Sequence, residues 1–130
     1  MVPRIRKAAP VWRYWLPVAV YAGLIFYLSS LSYPEDYLPS LLEDLGDKVL
    51  HAIEYAVLGI LWYRAFRHAA GTWAAHHSLL LAIIASVGYG VTDELHQAFV
   101  PTREADVWDL LFDGLGSAMA ALVWQRTVDT

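Results

Sequence analysis

The chain has 130 residues, of which 58% are hydrophobic and 17% charged, with no cysteine and a formal net charge of −4. That length suits one domain, and the balance is oilier and poorer in charge than that of a water-soluble domain. The acidic net charge gives no footprint for nucleic acid, and the lack of cysteine excludes disulfides and thiolate metal sites.

The apolar residues are concentrated. Segments 14–34 and 68–92 contain no Asp, Glu, Lys or Arg. Each exceeds the roughly 18 residues that mark a membrane-helix candidate. The chain therefore reads as an integral membrane protein, with the lipid bilayer as its first partner.

The start, MVPRIRKAAPVWRYW, is basic like the head of a secretory signal. The apolar stretch behind it outruns the roughly 7–15 residues of such a signal, and no small-x-small cleavage site follows Ser30. A retained first span is expected at about 12–30. Trp12, Tyr14 and Trp15 suit one interface and Tyr27 and Tyr33 the other, while Pro17 lies near the start, where a helix tolerates it best. The next loop is rich in acids and proline, and its SLLEDL predicts a short amphipathic surface turn. A second span is expected at about 47–63, broken by Glu54, and a third at about 78–99. Pro101 stops the third helix in a tight Val100-Pro101-Thr102 turn. A fourth span, broken by Asp113, is expected at about 105–124. No internal repeat is visible, which speaks against a transporter built from inverted halves.

Lys and Arg near the span ends set the orientation. Arg4, Arg6, Lys7, Arg13, Arg64, Arg67 and Arg126 flank one side, against Lys48 and Arg103 on the other. Both termini should be cytoplasmic. The expected fold class is thus all-α, an integral membrane bundle of four transmembrane helices, with a polar cluster at its outer face.

Helical spacing gathers that cluster. Asp47, His51, Glu54, Tyr55 and Leu58 share one face of span two, and Asp106, Asp109, Asp113 and Gly116 one face of span four. Asp93, Glu94 and Gln97 end span three, one turn beyond Gly90. Ionisable residues in membrane spans face a bundle interior or a wet cavity, so the three stripes should line one pocket. Arg103 is placed to pair with Asp106, Asp109 or an anion. Gly88 and Gly90 are expected to admit close helix packing. His68, His76 and His77 read as solvated, His96 as interfacial, and Ser29-Ser30 as a helix end. Trp62, Trp108 and Trp124 read as interface anchors or lipid-facing bulk.

DKVLHAIEYAVLG at 47–59 resembles the D-K-x-x-H-x-x-x-Y signature of VanZ-like membrane proteins. DELHQAFVPTREADVWDLLFDGLG at 93–116 resembles their second signature: D-E-x-x-Q, a proline turn, an arginine, then D-x-x-x-N-x-x-G. Thr102 departs from the usual glycine and Asp113 from the usual asparagine. The first suggests a turn without a positive φ, and the second adds a buried acid. The resemblance implies a bacterial cytoplasmic-membrane protein whose signature positions are Asp47, Lys48, His51, Tyr55, Asp93, Glu94, Gln97, Arg103 and Asp109. It also implies a link to teicoplanin resistance, hence to cell-wall precursors outside the membrane. It brings no reaction with it.

The expected function is binding of a cell-envelope molecule, lipid-linked or a cell-wall precursor, by Asp47, Lys48, His51, Tyr55, Asp93, Glu94, Gln97, Arg103, Asp106, Asp109 and Asp113. Two alternatives stay open. One is an enzyme on such a precursor, with or without metal, whose catalytic candidates are His51, Glu94 and Asp109. The other is a purely structural polar network. Interhelical hydrogen bonds in membranes contribute only about 0.6 kcal/mol each, a weak reason to bury so many acids. No cofactor is expected: there is no HExxH, and Lys48 would repel a cation. Metal candidates, were there a site, are His51, Glu54, Asp93, Glu94, His96 and Asp109. Oligomers remain open.

Overall fold

The computed structural model describes residues 9–30, 47–101 and 107–129, with Asp47 and Lys48 as backbone only. It comprises α1 (Trp12–Ser29), α2 (Asp47–Ala69), the short α3 (Gly71–His76), α4 (Ser78–Gln97) and α5 (Val107–Thr127), and no strand among the described residues.

Contacts at the helix ends fix the directions. Trp15 Nε1 donates to the Ala69 carbonyl at 2.9 Å, joining the start of α1 to the end of α2. Ser29 donates to Asp93, joining the ends of α1 and α4. His51 meets Asp113, joining the starts of α2 and α5. The chain thus passes up, down, up, down, and α2 packs on each of the other three long helices.

The parallel pair α2 and α5 has the most extensive contact, and small residues make it. A Cβ on Gly116 would collide with the Ala52 carbonyl, and one on Gly59 would lie 2.8 Å from the Ser117 Cα. Helices in lipid gain little from apolar burial against one another, so close backbone approach is their main source of adhesion. Ala52 and Gly59 on α2 meet Gly116 and Ser117 on α5 in that way. Larger side chains fill two clusters, one of Ile25, Tyr55 and Leu58, the other of Tyr63, Ala82 and Ala121.

Many apolar residues are left on the outside. Val20, Ile84 and Met119 are 64%, 57% and 67% exposed. Three helices, over Val49–Ala69, Ser78–Gln97 and Val107–Thr127, are long and apolar enough to cross a membrane, and at most 33% of each such window is buried inside the protein. The expectation of four such helices is corrected to three: α1 has the length, 18 residues, but Arg13, Pro17 and its tyrosines and tryptophans dilute its apolar character.

Other boundaries also move. α2 runs past the expected 63 to Ala69, since no residue in between breaks a helix. Its last turns are held by Arg64 over the Tyr14 and Trp124 rings, at 5.7 and 5.9 Å, and by Arg67 Nη1 donating to the Ala75 carbonyl at 3.2 Å. α2 ends at Ala69, and the chain turns into α3 at Gly71, whose φ of 91° belongs to the left-handed region that glycine enters without steric cost. α3 was not expected. The surface turn expected at SLLEDL lies outside the described residues.

Candidate polar site at one end of the bundle

The up-down course brings the ends of α1 and α4 beside the starts of α2 and α5. Seven polar side chains are buried there: Ser29, His51, Asp93, Glu94, Gln97, Asp109 and Asp113. Each long helix presents its share by period. His51 and Tyr55 lie one turn apart on α2, Asp93 and Gln97 one turn apart on α4, and Asp109 and Asp113 one turn apart on α5.

Two hydrogen-bonded groups make up the site. The first centres on Asp93. Ser29 Oγ donates to Asp93 Oδ1, Tyr55 OH donates to Oδ2 at 3.3 Å, and Gln97 Nε2 donates to Ser29 Oγ at 3.0 Å. The second centres on His51. Its Nδ1 lies 3.0 Å from Asp113 Oδ1, and its Nε2 lies 3.6 Å from Asp109 Oδ2. The ring lies nearly parallel to Tyr55, with centroids 6.4 Å apart. Glu94 completes this group: one donor atom from each of His51, Glu94 and Asp109 lies within 4.8 Å of the others. Gly90 makes room for it, since a Cβ there would lie 2.9 Å from Asp113 Oδ2.

Of the expected site residues, the structure brings together His51, Tyr55, Asp93, Glu94, Gln97, Asp109 and Asp113. Arg103 and Asp106 lie outside the described residues, as do Thr102 and the side chains of Asp47 and Lys48. Gly90 packs closely as expected, but Gly88 has nothing within 4 Å of an added Cβ, because it points off the face that carries Ser86, Gly90 and Asp93. His96 accepts its place at the rim, 2.8 Å from Ser30 Oγ and stacked on Phe26.

Ser29 was expected to be only a helix end. It is buried and joins Asp93 to Gln97, because the end of α1 meets the end of α4. Ser86 and Ser117 were also missed. Both are fully buried, and each extends a stripe by four residues, Ser86 before Gly90 and Ser117 after Asp113. That spacing is the signal that could have found them. Tyr89, whose hydroxyl donates to the Ala22 carbonyl, had no such signal.

A groove of about 590 Å³ runs along α2 and α5, lined by residues such as Ile53, Ile60, Phe112 and Met119. Ile53 and His51 stand about 200° apart around α2, so this groove faces away from the polar site.

The profile of a family described as VanZ/LLP1 matches residues 7–128. The chain belongs to the VanZ/LLP1 family. The match spans every helix described here and the whole polar end. No curated protein and no solved structure matches the chain. Family membership and three apolar helices together make this a VanZ-like membrane protein. The chemistry of its described polar end is that of acceptors: four carboxylates around one imidazole, suited to hydroxyls, amines or cations.

Proposed function

We propose that the polar end of this VanZ-like protein binds the headgroup of a cell-envelope molecule, lipid-linked or a cell-wall precursor, at the outer leaflet of the bacterial cytoplasmic membrane. The observation that carries this reading is the burial of Asp93, Glu94, Asp109 and Asp113 with His51 at one end of the bundle. Burying charge in a span costs free energy, up to about 2.5–3.5 kcal/mol per residue at mid-membrane on the insertion scale and less toward the interface, and packing does not require it. The contact of Ala52, Gly59, Gly116 and Ser117 already holds α2 to α5 without any charge. A purely structural network is therefore the weaker reading. Arg64, Arg67 and Arg126 lie toward the opposite end, which supports a cytoplasmic placement for that end. Carboxylates match the hydroxyl and amine donors of sugars and peptide stems, and Arg103 and Lys48 are the residues of the family signature suited to phosphate.

A reaction at the same place is the second reading, favoured by one observation: Asp113 orients His51 as a carboxylate orients a general base.

Binding can be tested with the full chain in lipid nanodiscs and a polyprenyl-diphosphate-linked saccharide as ligand. Wild type is expected to bind it, and Glu94→Gln to bind at least about tenfold less well, the loss expected for a charged hydrogen-bond acceptor. Equal binding by both proteins, or none by wild type, would refute the proposal. Turnover of the bound molecule would favour the second reading. Raised teicoplanin tolerance on expression in susceptible cells is the corresponding cellular readout.

A further inference from the structure

We propose that the groove between α2 and α5 holds one anionic phospholipid, with its phosphate on Arg64 and an acyl chain laid along the two helices. The headgroup end of this site is the basic end of the bundle, away from the polar cluster, and the inference is independent of the function proposed for that cluster.

Helical period builds the groove. Ile53, Ala56 and Ile60 line it from α2, and Phe112, Met119 and Thr127 from α5. From Phe112 to Thr127 it follows α5 for about 22 Å, at about 1.5 Å per residue. That is more than the roughly 15 Å of hydrocarbon in one leaflet. A methylene is close in size to a water, about 30 Å³, so the groove's 590 Å³ takes about twenty of them. Over that length it is on the order of 5 Å across, the width of one hydrocarbon chain, whereas a helix with its side chains measures about 10–12 Å.

The apolar stripe on α2 continues into charge. Arg64 follows Ile60 by four residues and Arg67 by seven, so both lie on the groove side of the helix. The Arg64 guanidinium stands 5.9 Å from the ring centroid of Trp124, which itself lines the groove. It stands 5.7 Å from the ring centroid of Tyr14. Rings on α1 and α5 thus fix the cation at the end of the groove. A ring offers no oxygen acceptor, so these contacts leave the N–H donors available. Among the described residues neither arginine forms an ion pair. A phosphate accepts two donors of one guanidinium at once.

Charge decides between occupants. Any lipid chain would wet an apolar groove, but two arginines at its end favour a headgroup of net negative charge. The same residues speak against a second copy of the chain. Two copies in one membrane share an orientation, so a symmetric groove-to-groove pair would set Arg64 and Arg67 against their own counterparts. The acids that could balance them, Asp93, Glu94, Asp109 and Asp113, are buried at the other end.

The test uses the full chain in detergent, delipidated and mixed with phosphatidylglycerol or phosphatidylcholine of identical chains, with bound lipid counted by native mass spectrometry. Wild type should retain one phosphatidylglycerol and bind it at least about tenfold more tightly than phosphatidylcholine. Arg64→Gln should lose at least about tenfold in affinity for phosphatidylglycerol, the effect of removing a charged donor, and bind phosphatidylcholine as wild type does. Arg64→Lys, a point charge without the fork, should fall between the two. Helical circular dichroism checks the folding of each variant. A second measurement needs no variant. In nanodiscs, phosphatidylglycerol with a photoreactive group near the end of its acyl chain should label segments 49–60 and 112–127 above the segment around Ile84, which is 57% exposed on α4. Even labelling of all exposed apolar faces would mean annular lipid only and would overturn the inference. Equal affinity of wild type for the two lipids would overturn it too, as would an Arg64→Gln protein that keeps the wild-type headgroup preference.

Discussion

Asp113 shows how much one side chain in this bundle depends on its neighbours. It sits against Gly90 on one side and His51 on the other, fully buried. Asp113→Asn keeps an oxygen to accept from His51 and is expected to shift unfolding by less than about 1 kcal/mol. Asp113→Leu removes the acceptor and crowds Gly90, and should cost about 1–2 kcal/mol, near the upper end for membrane hydrogen bonds. Denaturation in mixed micelles would measure both, and equal costs would mean that the hydrogen bond contributes nothing. Most of this chemistry was legible in the sequence, because His51–Tyr55, Asp93–Gln97 and Asp109–Asp113 each follow the helical period. Ser29 was not legible. A serine closing an apolar helix looks like an end signal, and its partner Asp93 is 64 residues away, a distance no local period reports.

Helices in this protein are matched through their small residues, and glycines at different positions should respond very differently to the same change. Gly116→Ala drives a methyl into the Ala52 carbonyl and should cost about 1–3 kcal/mol, the usual range for overpacking. Gly23→Ala meets nothing within 4 Å and should stabilise α1 by about 0.5–1 kcal/mol through backbone entropy. Thermal unfolding in detergent decides this, and a neutral Gly116→Ala would show that the two helices can part at no cost. The same element scale is where sequence reading lost accuracy. α2 was expected to stop near Tyr63 because charge begins at Arg64, yet a helix ends where its backbone is broken, not where its surroundings turn polar. Gly71, where the chain turns into α3, carries no mark in hydropathy. The first span was over-read for the converse reason: the charge-free run at 14–34 is long, but α1 itself includes Arg13 and Pro17.

For the whole molecule, the separation of basic and acidic ends predicts a single orientation. The chain has no cysteine, so a single exposed one reports cleanly. Ala98→Cys, just past α4 at the polar end, should react with a membrane-impermeant thiol reagent in intact cells. Thr72→Cys, at the opposite end, should react only after lysis. The reverse pattern would move the polar end to the cytoplasm and end the case for a ligand outside the membrane.

The polar end also sets an order of assembly. His51 is made 58 residues before Asp109 and 62 before Asp113, so α2 leaves the ribosome before either of its α5 partners exists. α2 therefore reaches the membrane before its α5 partners, and its insertion should be completed only when α4 and α5 arrive. A chain stopped after Ala98 is expected to leave α2 accessible to protease and to be cleared rapidly by the cell, while the full chain is protected. A biogenesis defect of that kind would be the earliest sign of any change that unmakes this site.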